Sequence, residues 1–313
     1  MSLNQVKNIR MYGTMTKEIT DIADLDCVYL SYDEPKKEET WIKIQNIVPW
    51  AKRVDGVKGS DAAHKAAADA STTDRFVLID GDNTPDPEFF NLQLTLDDTN
   101  KDCVFRWKAR NYINGLMYGN GGLSCWTKEF VYAMKTHENT DGSEANDVEF
   151  CFYPDYWAMH DCYSTTYPNA TPFQAWRAGF REGVKMCLDR GKRPGLVDFE
   201  VKVHNRNYDH LCIWQTVGAD VDNGFWSIYG ARLGTWMTML NKEWDYRQVQ
   251  DFDALAELWK EFENDTPDHC TSIGNQLRQK LSLPIVDMDP EESKFFKHHY
   301  KSVFKNKGLM ERE

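Results

Sequence analysis

Apolar and polar positions change period along the chain, and each change marks an element. The run Cys27-Val-Tyr-Leu-Ser-Tyr32 is short, β-branched and aromatic, and it stops at Asp33-Glu34-Pro35. It predicts a buried first strand with a functional loop at its carboxyl end. A helical stretch follows from about Glu38 to Val48 and stops near Pro49. Ser60-Asp61 then predicts the cap of a helix carrying Ala62, Ala63, Ala66, Ala67 and Ala70, small enough to lie close to a sheet. Phe76-Val-Leu-Ile-Asp80 reads as a second buried strand that breaks off at Gly81-Asp82-Asn83 and Pro85. Strand, helix, strand in this order predicts a βαβ unit and an α/β sheet.

Further along, Cys103 to Trp107 predicts another strand, leading into a glycine loop at Tyr118-Gly-Asn-Gly-Gly122. Thr171, Pro172 and Gln174 make a capping box at the start of a helix. On it Phe173, Trp176, Phe180, Val184 and Cys187 form an apolar stripe, and Arg177, Arg181 and Lys185 a basic one. Beyond Pro194 the pattern is mostly helical, including Ala254 to Glu263. From Pro290 the chain is polar and rich in lysine (Lys294, Lys297, Lys301, Lys305, Lys307), which predicts a solvated end. The organisation expected is an α/β domain over residues 20–240 and a helical extension over 241–313.

Composition narrows the class. With 313 residues, 41% hydrophobic and 27% charged, the chain is globular and holds one large domain or two. Aromatics at 13%, including 11 Trp, supply both core and flat stacking surfaces. No run approaches the ~18 apolar residues of a membrane span. The amino-terminal segment has no apolar run of signal-peptide kind, so the expected location is the cytoplasm. Eight Cys without a CxxC pair fit neither a zinc framework nor a disulfide scaffold. A net charge of −12 argues against a protein that coats nucleic acid, while leaving room for an enzyme that visits it through a local basic patch.

The sharpest chemical signal is Asp80-Gly-Asp82. Two carboxylates one residue apart, at the exposed end of a buried strand, can hold a hard divalent cation with phosphate oxygens and water as its other ligands. The bland alternative is an acidic turn. The glycines of 118–122 permit close backbone approach by a phosphate or sugar, though glycine pairs also serve plain turns. Arg177, Arg181 and Lys185 suit a pyrophosphate or a DNA backbone, or a merely solvated helix face. Asp147, with Glu149 as the fallback, is placed to accept a proton from an attacking hydroxyl. Among the histidines (His64, His160, His204, His210), His64 stands out because its helix leads into the acidic strand.

In this order the motifs resemble a GT-A nucleotide-sugar glycosyltransferase. Tyr32-Asp-Glu-Pro35, Trp41, Ala51-Lys-Arg-Val54, Gly56-Val-Lys-Gly59, Ala63-His64, Asp80-Gly-Asp-Asn83, Tyr118-Gly-Asn-Gly-Gly122 and Trp176-Arg-Ala-Gly-Phe-Arg-Glu182 look like the TET-associated glycosyltransferases. Trp214 to Gly234 matches them more weakly. The resemblance covers roughly residues 25 to 240. It implies a GT-A core with a helical carboxyl-terminal portion and transfer of glucose, arabinose or a similar sugar to a hydroxylated pyrimidine in DNA, such as 5-hydroxymethylcytosine, as in bacteriophages. It implies Mn2+ or Mg2+ at Asp80 and Asp82, and a nucleotide sugar, expected to be UDP-linked, held by Tyr32, Asp33, Glu34, Lys58, His64, Gly121 and Gly122. Tyr118, Asn120, Arg177 and Arg181 would meet the acceptor or its phosphates. Asn146-Asp147 stands where many inverting members carry Glu-Asp, which makes Asp147 the base. Trp107, Tyr112, Tyr118 and Trp126 are candidates to stack on a base that must leave the duplex. No membrane or protein partner is expected. The competing readings are a GT-A enzyme acting on a protein or glycan, favoured by the acidic charge, and a non-catalytic sugar-nucleotide binder, disfavoured by the intact Asp80-Gly-Asp82.

Overall fold

A computed structural model describes residues 17–134, 136 and 155–299, with Asn120 and Gly121 in backbone only. Asp147, Glu149, Lys301, Lys305 and Lys307 lie outside the described residues. The continuous apolar runs ending at Ser31 and Asp80 become central strands of a mixed seven-stranded sheet, ordered β3-β2-β4-β8-β7-β9-β5. Its strands are β2 (Asp26–Ser31), β3 (Lys52–Asp55), β4 (Arg75–Asp80), β5 (Asn83–Pro85), β7 (Val104–Asn111), β8 (Met117–Thr127) and β9 (Tyr156–Thr166). A separate antiparallel pair joins β1 (Glu18–Asp21) to β6 (Gln93–Leu96).

Strand direction decides where a site can form. β2 is parallel to β3 and β4, β8 is antiparallel to β4 and β7, and β7 is parallel to β9. Five strands therefore end at one edge of the sheet, at Ser31, Asp55, Asp80, Asn111 and Thr166. Such an edge is where ligands bind in open α/β sheets.

The crossovers are α1 (Lys37–Ile47) and α2 (Ser60–Ala70). On one face of the sheet Cys27, Tyr29, Val77, Ile79 and Trp107 pack with Ile44 of α1. On the other, Val28, Phe76, Leu78 and Trp126 meet Ala67 and Ala68 of α2 and Val131 of α3 (Lys128–Ala133). This is the α/β core expected from the pattern. Two local expectations are corrected. Gly59, at φ 95°, is the N-cap of α2, and Ser60 and Asp61 are its first helical residues. The segment Tyr118–Gly122 is no loop: it lies within β8.

The helical layer begins with α4 (Pro172–Met186), followed by α5 (Phe199–Lys202), α6 (Asn205–Trp214), α7 (Gly224–Met239), α8 (Phe252–Phe262), α9 (Pro267–Leu281) and a last helix over 290–299. Thr171 caps α4 through its hydroxyl, which accepts from Gln174 N, while the Gln174 amide oxygen accepts from Ala170 N. The α4 stripe is buried, and one apolar core joins Trp176, Phe180 and Val184 to Trp214, Leu233, Leu255 and Leu277, on both sides of residue 240. Gly179 and Gly183 of α4 lie against the α7 backbone at Ser227 and Ala231. Gly230 and Gly234 of α7 lie against Trp176 and Phe180 in the same way, so none of the four leaves room for a side chain. The lysine-rich end is not wholly solvated. Lys297 pairs with Asp220 at 2.6 Å and donates to Ile113 O.

Candidate functional site

The carboxyl edge of the sheet collects an acidic cluster. Asp80 is the last residue of β4, and the Tyr29 hydroxyl fixes the turn after it by donating to Gly81 O at 2.8 Å. The Glu34 carboxyl occupies the space a side chain at Gly81 would need, and one of its oxygens accepts from Tyr32 N at 2.7 Å. Glu34 thus lies against the turn that joins Asp80 to Asp82, and its charge acts on both. Burial first, then the charges of Asp82 and Glu34, push the Asp80 carboxyl up to about 8. Burial and Glu34 push Asp82 up to about 6, against the opposing pull of a Thr166 hydroxyl hydrogen bond and of Arg177. Tyr167 N donates to Asp82 O at 2.8 Å, so the end of β9 is tied to the same turn.

These residues fit a divalent cation in a limited sense. Among the described residues no group of three or more His, Cys, Asp or Glu side chains is arranged to hold a metal. Asp80 and Asp82 would supply two oxygen ligands, leaving other positions to phosphate oxygens and water, as a hard cation accepts. Converging carboxylates with raised affinity for protons are also the groups that a cation would relieve.

The opposite wall is basic. The Arg177 guanidinium stacks between the rings of Phe173 and Phe252, 5.2 and 4.9 Å from their centroids, and Arg181 lies 4.8 Å from the Phe252 centroid. Neither makes a hydrogen bond or an ion pair with any described residue. Burial lowers the Arg177 pKa, opposed by the charges of Asp33, Asp82 and Glu34 and reinforced by Arg181. Arg177 thus faces the acidic turn with Arg181 beside it on the Phe252 ring, and among the described residues neither has a carboxylate partner of its own. The third member of the stripe, Lys185, is instead paired with Glu182 at 2.9 Å.

No family model matches the chain, and no curated protein matches it. Solved structures that match include HddC from Yersinia pseudotuberculosis and a glycosyltransferase involved in the glycosylation of the major capsid of PBCV-1. Each is 14% identical over 45% of this chain, at a TM-score of 0.28, and the match covers 71% of the first and 93% of the second. So slight a likeness carries no chemistry. Function is read from the site itself.

The other expected residues divide. Tyr32 and Asp33 follow β2 at the same edge, and Lys58 feels the charge of Tyr32 while pairing with Asp253 at 3.2 Å. Continuing the β4–β8 register by one residue sets Gly122 beside Asp80. His64 is elsewhere: its ring packs on Trp126, a neighbour of Phe76 at the far end of β4. Tyr118 faces α4, donating to Glu182 at 2.9 Å, with its ring 5.1 Å from His210. Burial and the nearby Arg206 and Lys108 push His210 down to about 4, so it is neutral near pH 7. Trp107 and Trp126 are core residues, each 2% exposed, which removes them as stacking surfaces. Tyr112 remains at the surface. Sequence reasoning missed Thr166, Phe173 and Phe252 as site residues, and Tyr167, whose backbone N–H ties β9 to the turn. Only Phe173 carried a periodic signal, and that signal pointed to the core.

Proposed function

We propose that this protein is a glycosyltransferase that takes a sugar from a nucleotide sugar with the help of a divalent cation. The observation that carries the reading is the pair of walls, a carboxylate turn at Asp80 and Asp82 and the guanidinium groups of Arg177 and Arg181, which have no carboxylate partner among the described residues. A diphosphate bound to a cation is complementary to both walls at once. The cation, when bound, would act as a Lewis acid that stabilises charge on the departing diphosphate. Arg177 and Arg181 donate charge-assisted hydrogen bonds to the same phosphate oxygens, and their stacking on Phe252 keeps them oriented before the donor arrives. Tyr32, Asp33 and Glu34 lie where the base and ribose would rest. Asp147, or Glu149 in its place, takes the proton from the acceptor hydroxyl.

The acceptor we favour is a hydroxylated pyrimidine in DNA, a reading supported by the ordered motifs that resemble those of the TET-associated glycosyltransferases. Such a base must be flipped out or presented in a single strand to reach the strand ends. The net charge of −12 favours a second acceptor class, a protein or glycan. Nucleoside mass spectrometry decides between them, after incubation of hydroxymethylated DNA with Mn2+ and a panel of nucleotide sugars. A sugar-shifted nucleoside is expected. Donor hydrolysis without any modified nucleoside would move the acceptor to the second class, and no donor turnover at all would leave a binding module.

A further inference from the structure

We propose that Tyr112 and Tyr167 form the platform on which the flat ring of the acceptor base stacks, an inference that rests on the DNA-acceptor reading above. The pair is assembled by topology. β7 and β9 are parallel neighbours in register, Asn111 beside Thr166, and the next residue after each strand is a tyrosine. Their ring centroids lie 4.9 Å apart with planes tilted by 37°. The backbones are fixed, since Tyr112 N donates to Thr166 O at 3.0 Å and Tyr167 N donates to Asp82 O at 2.8 Å. One end of the platform is therefore a single hydrogen bond from the acidic turn.

Single exposed aromatics are ordinary on a protein surface. Two in contact, 45% and 38% exposed, at the carboxyl edge of the sheet are a ring-sized apolar surface beside the proposed reaction centre. The charges around it are mixed in a specific way. Lys43 Nζ lies 5.9 Å from the Tyr167 ring centroid, Arg110 is near enough to act on its hydroxyl, and Asp86 is the opposing carboxylate. Lys43 and Arg110 are exposed. An uncharged sugar ring would make no use of those cations. A nucleotide unit would use both features, its base on the rings and its phosphates near Lys43 and Arg110. The tyrosine hydroxyls are not needed for this role, so the rings alone should suffice.

The test uses the full-length protein and a short single-stranded oligonucleotide containing 5-hydroxymethylcytosine. Tyr112→Ala and Tyr167→Ala should each raise the acceptor KM about tenfold, with donor KM and cation-dependent donor hydrolysis unchanged. Phe at either position should restore the acceptor KM, and Leu, similarly apolar but not flat, should not. Unchanged acceptor KM in both Ala variants, with an active wild type, overturns the platform alone. A shift in donor KM instead also overturns it and assigns the rings to the donor base. A wild type that hydrolyses donor but never modifies DNA overturns the acceptor reading, and the platform with it.

Discussion

Arg177 rests its guanidinium on the ring of Phe252, 4.9 Å from the centroid, and so ties the first helix of the helical layer to the start of α8. Arg181 shares that ring from 4.8 Å. The phenyl group desolvates both cations and holds them apart without neutralising either. Each such contact contributes roughly 0.5–2 kcal/mol. Phe252→Ala should weaken binding of a nucleoside diphosphate several-fold in titration calorimetry, while Phe252→Tyr keeps it near wild type. Equal affinity in both variants would remove Phe252 from the donor site.

The acidic turn predicts an unusual pH response. The folded-state pKa values of Asp80 and Asp82 are raised from 3.8, to about 8 and about 6. The folded protein then binds more protons than the unfolded chain, and this contribution to stability is present below about pH 4 and lost as pH rises toward 8. The Tm of cation-free protein, followed by circular dichroism, should include a decline across that window. Mn2+ should reverse the decline at the alkaline end. Asp82→Asn should flatten the profile and abolish cation-dependent donor turnover. A mutant that turns over donor normally would dismiss the cation role of Asp82.

Gly81 and Glu34 compete for one space. Gly81→Ala must displace the Glu34 carboxyl, costing on the order of 1–3 kcal/mol as an overpacking change. Chemical denaturation of the single variant and of Gly81→Ala with Glu34→Ala measures the coupling. The second substitution should recover most of the lost stability. If it recovers none, the crowding lies elsewhere.

Asp26 sits at the opposite end of the sheet and should behave in the ordinary acid-labile way. Burial raises its pKa, but Lys52 at 2.7 Å, together with the Thr72 amide and hydroxyl, outweighs burial and holds the carboxyl well below 3.8. Its stabilisation is present above pH 3.8 and is lost as pH falls toward the lowered value. Asp26→Asn should cost about 1–3 kcal/mol near pH 7 and progressively less in acid, read from urea unfolding at several pH values. A pH-independent cost would point to shape instead of charge.

Much of the sheet was legible because its signals are local. Strands ending at Ser31 and Asp80 are continuous apolar runs closed by turn residues, and the acidic pair sits where such strands end. The glycines near residue 119 were misread because a glycine can serve a passing side chain instead of a turn: the Arg106 guanidinium occupies the space beside Gly119. β9 left little signal, since its burial does not alternate cleanly. Phe252 left none, because its partners lie on a helix far earlier in the chain. The basic stripe was visible, but nothing local distinguished a solvated face from one turned toward Asp33 and Asp82.

The glycine contacts between α4 and α7 have a consequence for how this protein can diversify. With backbone against backbone at Gly179, Gly183, Gly230 and Gly234, α4 can neither roll nor slide without collision. Arg177 and Arg181 ride on that helix, so the seam sets the reach of Arg177 to Asp82. The spacing between the two walls is thereby a fixed gauge. On the glycosyltransferase reading, divergence toward another sugar or another acceptor has its freedom at the strand ends, where the exposed side chains of Tyr32, Tyr112 and Tyr167 lie. Relatives that carry different sugars should therefore keep the small residues of the seam and vary at that rim.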